Sequence, residues 1–388
     1  TLEMFDSEFR NDLGYHQPAG PLASLGVMGS GSGATQSKYV ARRETPVYIA
    51  ENCTQCMECI TACPDTALPN TAQDISTVLV TAIRNYVGDK DAQKQLLNEV
   101  KGLEERCRAK MNEVVAAKGK TPFKDILRAE VDQLTDISET ARNEFTHIVD
   151  KQPMAYNDVP AIFRSVEKKN PGNGGLFSIF VSDLCKGCGE CVQVCGDHDA
   201  LRMEQETPEL NAELTTAQVF SRLLPDTNQK FLGFYNDDTP EASREAALRN
   251  HLMVRRNYEA LVSGDGACAG CGEKSVLRAV ASTTEAYMRP IYHKKAARLR
   301  EKATELEENG VAKLEALKER SEDEYNWYRR GVAHAVMGLG GEDNEDTTAR
   351  LESHGDISDQ EIIDALCAVM RQDAFNHRDV QAIDGRHA

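Results

Sequence analysis

The apolar and polar positions change period several times along the chain. Thr45-Pro-Val-Tyr-Ile-Ala50 and Leu176-Phe-Ser-Ile-Phe-Val181 are short runs rich in β-branched and aromatic residues, and each reads as a strand. Between them the period lengthens. Leu96, Val100, Leu103, Cys107, Met111 and Val114 recur at three- and four-residue steps, with Lys, Glu and Arg between them. That spacing predicts one apolar face of a helix of roughly two dozen residues. A shorter helix is predicted from Asp74 to Tyr86, with Asp74 as its N-cap, and further helical pattern runs from Phe123 to about Ile148. Residues 74–150 therefore read as an inserted helical hairpin. Pro171-Gly-Asn-Gly-Gly175 is a turn.

Farther on, one helix is expected from Glu241 to about Leu261 and another from Glu273 to Met288. Tyr292 to Tyr328 is dense in Lys, Glu and Ala, with Leu299, Leu306, Leu314 and Leu317 at helical intervals. It reads as a second charged hairpin, turning near Asn309-Gly310. Ser358 to Met370 reads as an amphipathic helix, with Ser358 or Asp359 near its N-cap and Glu361 in its first turn. Residues 1–45 are polar, and Gly29-Ser-Gly-Ser-Gly33 reads as a flexible connection.

Composition narrows the class. Of the 388 residues, 28% are charged and only 6% aromatic, which favours a helix-rich, soluble protein. The net charge of −17 speaks against a nucleic-acid surface and against docking on anionic lipid. No apolar run reaches the roughly 18 residues of a membrane span, and the N-terminus has no signal-peptide pattern. It also lacks a starting Met, as expected of a processed chain or a piece of a longer one. Twelve cysteines, eight of them in closely spaced arrays, point to metal ligation in a reducing compartment, the cytoplasm, rather than to disulfides.

Those arrays carry the chemistry. Cys53-Thr-Gln-Cys56-Met-Glu-Cys59-Ile-Thr-Ala-Cys63 and Cys185-Lys-Gly-Cys188-Gly-Glu-Cys191-Val-Gln-Val-Cys195 share the spacing C-x2-C-x2-C-x3-C. Bacterial-type ferredoxins hold two 4Fe–4S clusters with that spacing, each run giving three ligands to one cluster and its fourth to the other. Cluster A then takes Cys53, Cys56, Cys59 and Cys195, and cluster B takes Cys185, Cys188, Cys191 and Cys63. Each run follows a strand and precedes a similar tripeptide, Thr66-Ala-Leu68 or Asp199-Ala-Leu201, so the unit is an internal repeat. The first run ends on Pro64, but Gly196 stands at the matching place in the second. Two zinc sites are the alternative, although zinc cysteines usually come as pairs. Cys107 falls on an apolar seam and reads as a packed residue. His198 reads as a turn residue, and no histidine has the spacing of a mononuclear metal site.

A third element follows. Gly266-Ala-Cys268-Ala-Gly-Cys271-Gly-Glu273 resembles the motif that opens the thiamine-diphosphate domain of the pyruvate:ferredoxin oxidoreductase family, the thiamine-dependent 2-oxoacid:acceptor oxidoreductases. Ala34-Thr-Gln36 and Val47-Tyr-Ile-Ala-Glu-Asn52-Cys53 resemble the lead-in to that family's dicluster domain. The likeness covers about 35–70, 176–205 and 263–280. It implies that Cys268 and Cys271 are the first two ligands of a third 4Fe–4S cluster, and that Glu273 lies near the thiamine. It further implies electron transfer from a hydroxyalkyl-thiamine intermediate through the clusters to ferredoxin or flavodoxin, with Mg2+ and coenzyme A in the full enzyme and a homodimer as its assembly.

This sequence departs from that pattern. Only Cys367 follows Cys271, and it sits in an apolar helical pattern that suits a buried side chain. Gly264-Asp265-Gly266 matches half of the thiamine metal-diphosphate motif, but no Asn pair completes it. The chain is therefore expected to be an internal portion of a larger oxidoreductase, catalytically incomplete alone. The expected fold is α+β: a lead-in at 1–45, a two-cluster ferredoxin domain at 46–205, a connection at 206–262, and from 263 to 388 the opening part of an α/β thiamine-binding domain with a helical insertion at 290–330. The alternative is a stand-alone dicluster carrier or assembly subunit with helical docking arms.

Overall fold

In the computed structural model, the described residues are 42–135, 137–260, 272–337 and 358–378. The first strand-like run forms β1 (Glu44–Tyr48), and the first cysteine loop leads to a short helix, α1 (Glu58–Ala62), and then β2 (Asn70–Gln73). Ile75, Val78, Leu79, Ala82 and Ile83 form the buried face of α2 (Ile75–Tyr86). Asp74 occupies its N-cap, but the carboxylate pairs with Lys230 and makes no cap hydrogen bond. The long amphipathic pattern forms α3 (Lys90–Ala116), with Leu96, Val100, Leu103, Cys107 and Met111 buried. Asp89 caps it, accepting from the amides of Asp91 at 2.8 Å and Ala92 at 3.3 Å. Each large apolar side chain buried on that face contributes about 1.5–3 kcal/mol.

The helical pattern expected from Phe123 to Ile148 is broken in two, α4 (Phe123–Val131) and α5 (Glu139–Asp150). The break has a local cause: Ser138 accepts from the Ala141 amide at 3.2 Å and starts a new helix. After α6 (Arg164–Lys169) the second half repeats the first, as β3 (Leu176–Ile179), a cysteine loop, α7 (Glu190–Cys195) and β4 (Leu201–Gln205).

The strands pair across the halves. β1 lies antiparallel to β4, with Glu44 opposite Gln205 and Tyr48 opposite Leu201. β2 lies antiparallel to β3, with Asn70 opposite Ile179 and Gln73 opposite Leu176. α1 and α7 pack against each other. The helices inserted between the halves share this core: Leu96, Leu103, Phe123 and Phe145 belong to the same buried cluster as Ile60, Leu68, Phe177 and the cysteine loops.

All the described elements beyond β4 are helical. They are α8 (Pro208–Leu223), α9 (Gln229–Leu232), α10 (Glu241–Asn250), α11 (Arg255–Tyr258), α12 (Gly272–Arg320), α13 (Glu322–Met337) and α14 (Asp359–Arg378). The helix expected from Glu241 to Leu261 ends at Asn250. A single 3-10 turn follows, Val254 is extended, and Asp226 accepts from the Arg255 amide at 2.8 Å, which starts α11 separately.

The chain divides into two compact units, one reaching to Tyr287 and the other beginning at Met288. In the second, the hairpin expected to turn at Asn309-Gly310 does not form: α12 runs unbroken through both residues. Gly310 is buried against Ile363 of α14, where a Cβ would lie 2.8 Å from Ile363 Cδ1. The glycine allows two helices to approach closely rather than ending one. Ser358 and Glu361 form a reciprocal capping box on α14, with the Glu361 amide 3.3 Å from Ser358 Oγ and the Ser358 amide 2.8 Å from Glu361 Oε2. Cys367 is buried in this seam and donates to the Ala303 carbonyl at 3.3 Å. The linker at Gly29–Gly33, the boundary near 263 and the Gly264-Asp-Gly266 run lie outside the described residues.

Candidate functional site

The two cysteine loops follow one backbone plan. Each first cysteine follows a strand, each third begins a short helix, and each fourth ends it. Between them the chain turns through the left-handed region at matching positions, Gln55 and Met57 in the first loop, Gly187 and Gly189 in the second. Gly187 has φ +68°, and a Cβ there would lie 2.6 Å from the Glu44 carbonyl oxygen, so only glycine fits. In the first loop the same turn is made by residues with side chains, at some cost in strain. Gln55 offsets part of it by donating to Asn250 Oδ1 at 2.8 Å.

These turns aim backbone N–H groups at sulfur. The Gln55 amide lies 3.4 Å from Cys53 Sγ, the Ala67 amide 3.3 Å from Cys63 Sγ, and the Ala200 amide 3.3 Å from Cys195 Sγ. The last two come from the repeated tripeptides, whose first residues, Thr66 and Asp199, both have positive φ.

The eight cysteines sort into two cavities. Cys53, Cys56, Cys59 and Cys195 line one, with Tyr48 and His198 at its wall. Cys63, Cys185, Cys188 and Cys191 line the other. Each cavity thus takes three cysteines from one run and the fourth from the other, a consequence of β1 pairing with β4 and α1 packing on α7. Six of the eight are buried; Cys56 is half-buried and Cys188 exposed.

Burial and mutual repulsion oppose ionisation. Burial pushes the Cys53 thiol up to about 11, against the Tyr48 hydroxyl and the Gln55 amide, which favour the thiolate. Burial and then the neighbouring Cys63, Cys185 and Cys188 push Cys191 to about 12. Cys59 is raised by burial and by Cys53, Cys56, Cys191 and Cys195. A bound cation relieves both effects, because a metal-bound thiol is deprotonated outright. Among the described residues no group of three or more His, Cys, Asp or Glu side chains is placed to hold a metal ion.

Sequence reasoning missed the residues behind the cysteines. Arg42 has almost no exposed side chain; it pairs with Glu206 at 2.8 Å and donates to the carbonyls of Ser182 at 3.0 Å and Cys185 at 3.5 Å. Arg278, on α12, donates to the Cys63 carbonyl at 2.6 Å and the Ile60 carbonyl at 3.3 Å. Lys274 pairs with Asp65 at 3.6 Å, both buried. Tyr258 accepts from the Leu68 amide at 2.9 Å and lies under the Arg278 guanidinium. No spacing signals these residues, since their roles follow from burial against backbone carbonyls. Glu273 is exposed in the first turn of α12. Cys268 and Cys271 lie outside the described residues. Among the described residues no helix is long and apolar enough to cross a membrane.

The chain is 28% identical over 136 residues to a pyruvate-flavodoxin oxidoreductase of Trichormus variabilis, a match covering 33% of this chain and 10% of that protein. The chain thus matches about a tenth of the length of this curated relative. No family profile matches the chain, and no solved structure does.

Proposed function

We propose that this chain is the electron-transfer portion of a thiamine-dependent 2-oxoacid:acceptor oxidoreductase, with pyruvate the substrate class that the relative's name favours. In this reading residues 46–205 form a two-cluster ferredoxin-type domain. Cys53, Cys56, Cys59 and Cys195 hold one 4Fe–4S cluster, and Cys185, Cys188, Cys191 and Cys63 hold the other. The observation that carries it is the sorting of eight cysteines into two cavities with the fourth ligand exchanged, which is the ligand pattern of a two-cluster ferredoxin.

The donor chemistry also suits such clusters. Clusters supply one-electron carriers, and the chain's own part is to fix four sulfurs, aim amides at them and limit water. The exposed Cys188 leaves one edge open to an acceptor such as ferredoxin or flavodoxin. Cys268, Cys271 and Glu273 would belong to a third cluster and a thiamine site completed by chain outside this stretch. Coenzyme A, Mg2+ and homodimer formation belong to the full enzyme. A stand-alone carrier with helical docking arms is less well supported, because α2 to α5 share a core with the cysteine loops.

Iron and acid-labile sulfide in the anaerobically purified chain test the reading. About eight iron per chain is expected from the two sites. Stoichiometric zinc with no visible thiolate-to-iron absorption would defeat it.

A further inference from the structure

Arg278 is 2% exposed, yet among the described residues no carboxylate pairs with it. Its partners are two carbonyls, the Ser275 hydroxyl at 3.2 Å and the face of the Tyr258 ring at 5.2 Å. A guanidinium cannot shed its proton at accessible pH, and a buried, unpaired charge is costly. The neighbouring basic residues do not share this problem: Arg42 is neutralised by Glu206 and Lys274 by Asp65. The carbonyl that Arg278 holds most closely belongs to Cys63, at 2.6 Å. The fixed positive charge therefore looks towards one cysteine cavity. Around the other, among the described residues, Arg249 reaches the Cys56 carbonyl at 3.5 Å, but its side chain is only half-buried, at 39% exposed.

We propose that Arg278 is the counter-charge of the site lined by Cys63, Cys185, Cys188 and Cys191, and that it raises the reduction potential of the cluster held there above that of the site containing Cys53. The inference rests on the iron–sulfur reading above. A cluster becomes more negative when it takes up an electron, so a nearby buried cation stabilises the reduced state. Cluster potential depends on net charge, hydrogen bonds to the sulfurs and solvent exposure, and Arg278 acts through the first. It is a positioning and tuning residue, bonded to the ligand's backbone and not to the sulfur.

The test uses the full chain, loaded anaerobically and titrated with dithionite while the cluster signals are followed by electron paramagnetic resonance. Loss of one signal in Cys188→Ala identifies this site. Arg278→Met should keep the iron but lower this site's reduced-to-oxidised ratio at a fixed potential by at least about tenfold, the scale of a unit charge at close range with an effective dielectric near 20. The other site should hardly move. Arg278→Lys, which keeps the charge, should restore most of the ratio. An unmoved ratio with full iron overturns the proposal. Loss of iron in both variants also overturns it, making Arg278 a structural clamp. Absence of iron from the parent chain defeats the iron–sulfur reading itself, and the inference with it.

Discussion

The Arg108 guanidinium meets the Glu167 carboxylate at 2.8 Å across 59 residues of chain, with both side chains less than a tenth exposed. Glu167 also accepts from the amides of Gly172 and Gly174, each at 2.9 Å, and Arg108 donates to the Gly174 carbonyl at 2.8 Å and to Glu104 at 2.7 Å. This network ties the middle of α3 to the turn that leads into β3. The inserted helices are thereby bonded to the segment that delivers the second cysteine loop, and they brace the two halves from behind.

Glu167→Gln should destabilise the chain by about 2 kcal/mol, because it takes the charge from a buried network of hydrogen bonds and leaves Glu104 as the carboxylate facing the Arg108 guanidinium. Urea melts compared across pH add a second check. Burial alone would raise the Glu167 carboxyl, but the two glycine amides and Arg108 outweigh it and hold the value below the ordinary 4.5. A depressed carboxyl contributes stability that is fully present above its unfolded value and is lost as pH falls through the folded one. The gap between wild type and variant should therefore hold at neutral pH and shrink as the solution is acidified below the ordinary value. A gap independent of pH would mean that the charge is not what matters.

Tyr48 offers a test of opposite sign. Its hydroxyl is buried with no nitrogen or oxygen partner and faces the Cys53 thiol. Five residues before Cys185 the equivalent residue is Phe180. Removing a buried hydroxyl whose neighbour is a weak sulfur acceptor should be mildly stabilising. Tyr48→Phe should thus raise the stability of the metal-free chain by about 1 kcal/mol. In the iron-loaded chain it should lower the potential of the site containing Cys53, by removing a donor to a ligand sulfur. A less stable metal-free variant would show that the hydroxyl already has a good partner.

The exchange of fourth cysteines can be read directly. Cys195 lies in the second run but lines the cavity of the first. Cys195→Ala should cost about four of about eight iron and remove a different signal from the one lost in Cys188→Ala. Loss of the same signal in both variants would assign Cys195 to its own run's cluster and refute the exchange.

These features differed in how far the sequence disclosed them. The apolar face of α3 was legible because Leu96, Leu103 and Met111 bury on a helical period that local spacing records. The break before α5 was not. It depends on Ser138 capping a new helix within a stretch whose periodicity continues across the gap. Asn309-Gly310 carried a genuine turn signal, and tertiary packing overrode it. Arg278 and Arg42 resemble any surface arginine in the sequence, and only their enclosure against the cysteine carbonyls sets them apart.

Gly310 turns that override into a measurable coupling. In an exposed helix interior, glycine to alanine should gain about 1 kcal/mol of helix propensity. Here the new methyl would meet Ile363 Cδ1, Cγ2 and Cγ1 at 2.8, 3.0 and 3.1 Å, so the whole side chain must move rather than its tip alone. Gly310→Ala should therefore cost about 1–3 kcal/mol, as overpacking does. In an Ile363→Ala background the clash is gone, and the same substitution should stabilise by its propensity alone. Hydrogen exchange at the α12 amides around Ala303 and Leu314 in the full chain reports both effects. Protection should fall in the single variant and rise when Gly310→Ala is added to Ile363→Ala. If Gly310→Ala acted alike in both backgrounds, the glycine would owe its place to local backbone needs rather than to the approach of α14.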